Sequence, residues 1–266
     1  MEIVDLQERN WQYLCTYHLQ DWQGICTKYS PQGEMFEYFE SLRSFRGNQE
    51  QTQIIQNNEY KYPDGRIDKK TWQINKQSDS LSDGVSHSAN PSMRALFFDG
   101  GAAGWVMKRL ETGKNLAIEL LFWSENLRHS VTTHYDISGN LTRTVCIRED
   151  TTSSGSKYWL TELNLLPKRD LSGNWQGTSI VMTPDLQIST PVATQLQFPV
   201  AGNTSFFFPS GVSVSCPVSV NVESSFTIAV NRLVSESQLQ QLTVNYDEFG
   251  AFSTLTQELF WLSDVN

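Results

Sequence analysis

Apolar and polar residues alternate with a period of two along most of this chain, which predicts strands rather than helices. The start is the exception. Asp5 with Glu8 three residues later forms a capping-box pattern, and Trp11, Leu14, Cys15, His18 and Leu19 then recur at helical spacing. That reading gives one short helix with a single apolar face, which packs on a barrel or plugs its end. His18 on that face reads as a core histidine. From Asp21 onward, strands are expected near 22–29, 34–46, 52–60, 66–75, 94–98, 103–109, 116–123, 127–136, 140–148 and 157–164. Turns such as Tyr62-Pro63-Asp64-Gly65 and Phe98-Asp99-Gly100-Gly101 separate them. The polar stretch 77–92 reads as a loop at a barrel mouth.

The pattern repeats. Trp22-Gln23-Gly24 returns as Trp175-Gln176-Gly177, and Tyr135-Asp136-Ile137-Ser138-Gly139 returns as Tyr246-Asp247-Glu248-Phe249-Gly250. Each half opens on a Trp-containing strand and closes on a Tyr-Asp-x-x-Gly hairpin, the mark of a tandem duplication. The boundary falls in Leu165-Leu166-Pro167-Lys168-Arg169-Asp170, giving an N-terminal unit over 1–166 and a smaller one over 167–266. Strands in the second unit are expected near 175–182, 194–199, 204–208, 212–220, 225–234, 239–247 and 251–261. The fold class is all-β, two small antiparallel barrels in tandem behind a short helix.

Composition narrows the function. A net charge of −9, with 17 of the 20 Lys and Arg in residues 1–166 and no basic cluster, argues against nucleic acid and against a polybasic membrane face. The apolar run Leu116 to Trp123 contains Glu119 and is far short of the roughly 20 residues of a spanning helix. The opening Met-Glu-Ile-Val-Asp lacks a signal-peptide pattern, and Cys15, Cys26, Cys146 and Cys216 are widely spaced. The expectation is a cytoplasmic protein with reduced thiols, no metal and no cofactor.

Two strands carry candidate chemistry. In 34–46 one face mixes Met35, Phe39 and Arg43, as a strand lining a pocket for an amphipathic ligand does, with Arg43 placed to meet a carboxylate. The alternative is that Arg43 covers a rim or pairs with a neighbour such as Glu37. Arg232 shares parity with Phe226, Ile228 and Val230, so it needs a partner, either the Trp175 indole or a ligand carboxylate. No GxSxG, HExxH or P-loop occurs, and His129 and His134, five apart, fall on opposite strand faces. No catalytic residue is assigned.

Gly173-x-Trp175 at the head of a strand resembles the opening signature of lipocalins and the wider calycin superfamily. There the Trp closes one barrel end and a late-strand basic residue packs over it, which would give Trp175 and Arg232 those roles. Trp22-x-Gly24 keeps most of the motif but lacks the preceding glycine; Gly177 matches Gly24. The whole chain resembles an uncharacterised cyanobacterial lipocalin-like family, on Asn10-Trp11, His18-Leu19, Trp22-x-Gly24, Tyr29-Ser30-Pro31-x-Gly33 and Ser41-Leu42-Arg43-Ser44. The resemblance implies non-enzymatic binding or transport of an amphipathic small molecule, such as a fatty acid, carotenoid or tetrapyrrole. Two alternatives stand beside it: a chromophore chaperone like the phycobilin lyases, and a protein-interaction module or homodimer with filled barrels.

Overall fold

The computed structural model describes residues 5–152 and 159–263. The first helix, α1 (Leu6–His18), is capped by Asp5, whose side chain accepts from the Glu8 amide at 3.1 Å. It buries Asn10, Trp11, Leu14, Cys15 and His18, the expected face with one polar member. Asn10 is accommodated there by bonding strand backbone, donating to the Ala95 carbonyl and accepting from the Phe97 amide. The helix thereby plugs one end of the first sheet.

That sheet is antiparallel and contains β1 (Asp21–Tyr29), β2 (Met35–Gly47), β3 (Gln53–Lys61), β4 (Ile67–Asn75), β5 (Ser80–Leu81), β6 (Gly84–His87), β7 (Asn90–Phe97), β8 (Ala103–Met107), β9 (Leu116–Ser124), β10 (Leu127–Tyr135) and β11 (Leu141–Asp150). Its order, β4-β3-β2-β1-β11-β10-β9-β8-β7-β6-β5, curls the strands into a nearly closed barrel. The edges approach through side chains, with Trp72 of β4 and His87 of β6 6.2 Å apart ring to ring, and Ser88 donating to the Gln73 carbonyl. The stretch 77–92 is therefore not a loop. A short helix α2 (Lys76–Asp79), β5, β6 and the start of β7 occupy it, because Val85 and Ser80 bury beneath α1. The strand expected over 157–164 is not found either: 157 and 158 lie outside the described residues, and Trp159 to Leu163 form no strand.

The second sheet holds β12 (Asn174–Met182), β13 (Val192–Gln195), β14 (Thr204–Phe207), β15 (Val212–Cys216), β16 (Phe226–Ser235), β17 (Gln238–Tyr246) and β18 (Phe252–Ser263), in the order β13-β12-β18-β17-β16-β15-β14. This order matches β2-β1-β11-β10-β9-β8-β7 strand for strand, so the second sheet repeats the first without counterparts of β3 to β6. It stays open.

The sheets pack face to face. On β9, Leu116, Ile118, Leu120 and Phe122 point out of the barrel into one apolar core shared with Ile228, Val230, Leu242, Val244 and Leu255 of the second sheet. The two tyrosine hairpins lock this packing reciprocally. Tyr246 Oη donates to the Met107 carbonyl, and Leu110 N bonds the Gly250 carbonyl. In the mirror contact, Tyr135 Oη donates to the Pro217 carbonyl, and Val220 N bonds the Gly139 carbonyl. Asp136 and Asp247 hold the two turns alike, each accepting two amides through Oδ1.

Candidate functional site

Strand alternation sends every second residue of the first barrel inward, and there the side chains leave a cavity of about 320 Å³. Its walls carry both apolar and polar side chains. Phe39, Phe45, Trp72, Trp105, Val145 and Ile147 make an apolar part. Phe39 is itself held between Tyr60 and Tyr62, at ring distances of 5.2 and 5.0 Å. Arg43, Arg128, Glu119, Cys26 and His18 line the same space.

Glu149 organises the polar part. Arg128 reaches its Oε2 with both Nε and Nη2 at 2.7 Å, while Arg43 Nε approaches Oε1 at 3.3 Å without hydrogen-bond alignment. The Arg128 guanidinium also sits 4.5 Å over the Trp22 ring. Burial lowers its pKa, against the opposing pull of Glu149. Arg43 is the less committed cation, with one further contact at 3.5 Å to Cys26 Sγ. Glu119 accepts from Ser130 at 2.6 Å. Burial, with Arg128 close by, pushes His18 down to about 3, and burial beside Arg143 holds the cavity-facing His134 at about 4. Both imidazoles are neutral near pH 7. Among the described residues, His18 Nε2, Arg43 Nε and Glu149 Oε1 are buried without a hydrogen-bond partner.

Of the residues singled out by sequence, Phe39, Arg43 and the Trp22 end of the barrel come together here. Met35 does not. A bulge between Lys28 and Tyr29 pairs Tyr29 with Met35, and this switches the side of the strand, so Met35 packs on the core between the sheets. Arg232 lies on the face of β16 that meets the first barrel, with its charge felt by His129. It makes no cation–π contact with Trp175. The expected Trp–Arg packing is instead found in the first half, between Trp22 and Arg128.

Register shows why. Gly24 pairs with Glu149 and Glu149 with Arg128; in the second half Gly177 pairs with Phe260 and Phe260 with Leu239. Leu239 and Phe260 thus replace the ion pair, and with Trp175 they form an apolar plug. The glycines hold their places in both halves because a Cβ on Gly24 would strike the Arg148 carbonyl, and one on Gly177 the Leu259 carbonyl. Gly173 precedes Trp175 with φ +114°. Arg128 and Glu149 escaped the sequence reading, although Arg128, Ser130, Thr132 and His134 form an all-polar stripe that marks an inward polar face.

Free buried thiols account for Cys15, Cys26, Cys146 and Cys216. Among the described residues no group of three or more His, Cys, Asp or Glu is placed to hold a metal, and no helix is long and apolar enough to cross a membrane.

These features define a class: an all-β protein with a helix-plugged, nearly closed barrel around a polar–apolar cavity, and a second sheet docked on the barrel's outside. The chain belongs to the DUF3598 family, whose model for the N-terminal part of this domain of unknown function matches residues 7–154. A protein of unknown function from that family in Nostoc punctiforme is similar over 96% of this chain and 99% of its own, at 19% identity and a TM-score of 0.75. The uncharacterised cyanobacterial family expected from the sequence is therefore the right one, and its architecture includes the second sheet. The S-type phycobiliprotein lyase CpeS from Guillardia theta covers 54% of this chain and 90% of its own at 8% identity, with a TM-score of 0.36 that establishes no shared function. Among curated proteins none matches.

Proposed function

We propose that the first barrel binds an amphipathic small molecule with an acidic head group, and that the protein carries or senses it without transforming it. The observation that supports this is the make-up of one interior space: aromatic walls together with buried polar atoms whose hydrogen bonds are unmade. An interior selected for stability alone fills with side chains and satisfies its polar groups. Arg43 offers its guanidinium fork to the head group, since Arg128 is already engaged twice by Glu149. A volume of about 320 Å³ sits at the lower end of the roughly 300–1,000 Å³ usual for small-molecule pockets. That size favours a single-chain carboxylate over a carotenoid or tetrapyrrole, which would have to protrude.

Calorimetric titration with dodecanoate tests this. Saturable binding is expected, weakened about tenfold or more by Arg43→Leu through loss of a charge-assisted pair, and weakened also by Phe39→Trp, whose larger ring takes up part of the cavity. No binding, or binding that neither substitution changes, would leave the chaperone-like and interaction-module readings ahead.

A further inference from the structure

The concave face of the second sheet is also hollow, and its chemistry is different. Thr227, Gln241, Thr243, Asn245, Thr256 and Glu258 line a cleft of about 570 Å³, closed on one side by residues 194–201. Among the described residues, no lysine, arginine or histidine lines it. Glu258 is half-buried and receives only neutral donors, Gln241 Nε2 at 2.7 Å and Thr243 Oγ1 at 3.4 Å, both on Oε2. Burial raises its pKa from the ordinary carboxylate value. Gln241 is 3% exposed, and with its amide nitrogen turned to Glu258 its own Oε1 has no partner among the described residues. The cleft is therefore lined by a carboxylate and, across from it on the neighbouring strand, a buried amide whose oxygen has no partner among the described residues.

A buried acceptor left unbonded is costly, and a carboxylate partly withdrawn from water without a cation adds to that cost. Both costs vanish with one kind of guest. We propose that this cleft is a second binding site, and that it takes a small organic cation bearing N–H donors, a guanidinium or primary ammonium group. The guest's N–H groups bridge Glu258 and Gln241 Oε1, and a guanidinium does so with a fork matched to the carboxylate. The site is not a copy of the first cavity. Glu258 faces Ser179 where Ile147 faces Cys26 in the first half, and the cleft and the barrel cavity share no lining residue. The two sites therefore stand or fall separately.

The test is a chemical-shift titration of the whole protein with n-butylguanidinium chloride, with n-butanol and butyrate as matched probes. Saturable shifts centred on the Gln241 side-chain amide and on Thr243 are expected from the guanidinium. Glu258→Gln should weaken them about tenfold or more, the loss of one charge-assisted bond. Thr256→Lys, at a partly exposed position, should do the same by tethering a competing ammonium, and it carries the test if Glu258→Gln does not fold. Dodecanoate binding should be unchanged in both variants. The inference is overturned if butylguanidinium gives no saturable shift, if butanol or butyrate shifts the same resonances equally, or if a folded variant binds as the parent does.

Discussion

Arg128→Leu is the most informative single change to the first barrel. The side chain is 4% exposed and its partner Glu149 1%, so the substitution strands a carboxylate that water cannot reach. What remains near Glu149 is Arg43, at 3.3 Å but misaligned. Breaking a buried pair from one side costs about 3–5 kcal/mol, and the lost cation–π contact with Trp22 belongs to the same event. With a urea m-value of about 1–3 kcal/mol/M, the unfolding midpoint should fall by roughly 1 M or more. The second half indicates how to recover the loss, because Leu239 and Phe260 fill the corresponding positions and pack under Trp175. Arg128→Leu combined with Glu149→Leu should therefore be far less damaging than the sum of the single changes, with a coupling of about 2 kcal/mol or more. Urea unfolding followed by far-UV circular dichroism on the four proteins of the cycle measures it. Additivity to within about 0.5 kcal/mol would show that the ion pair is not what holds this end of the barrel together.

Gly24→Ala should destabilise strongly, because its Cβ meets strand backbone, whereas Gly65→Ala, with open space but φ +87°, should cost only about 1–2 kcal/mol of backbone strain; thermal melts compare them. Tyr135→Phe and Tyr246→Phe should each lose about 1–3 kcal/mol by orphaning a carbonyl, and by similar amounts, since their contacts mirror one another; denaturant midpoints test the equality. Acid should unfold the protein early. His18 and His129 are pushed by burial to about 3 and His134 to about 4, against an ordinary 6.5. Between those values the unfolded chain binds more protons than the folded one, so stability is full above pH 6.5 and falls as pH drops towards 4. Urea midpoints that stay level from about pH 7.5 to 5 would contradict this.

Much of the fold could be read from the chain because its strongest signals are local. The Asp5 cap, the Trp-x-Gly strand openings and the Tyr-Asp-x-x-Gly turns each satisfy their own backbone or clear their own clash, and the sequence displays them directly. What could not be read depends on which surface a face meets. The parity that places Arg232 with Phe226, Ile228 and Val230 is correct. Alternation, however, marks the face that is buried, not the face that is concave. In the second sheet the apolar side turns outward onto the first barrel, and the polar side lines the hollow. Met35 was misplaced by a single bulge, which a period of two cannot reveal. Residues 77–92 are rich in serine yet form strands, because the burial of Val85 and Ser80 beneath α1 outweighs composition.

The reciprocal hairpin contacts have a consequence for how the molecule responds to dilution. Surfaces that meet their own counterparts are the surfaces of a homodimer, and two separate chains joined that way come apart as concentration falls. Here residues 151–173 tie the two halves together. A covalent link this short keeps its ends at an effective concentration on the millimolar scale, however thin the solution. The second sheet, open at its edges and missing four strands of its counterpart, therefore never has to find its partner or persist without it. Its freedom to stay incomplete, and to line its hollow with polar groups, follows from that tether.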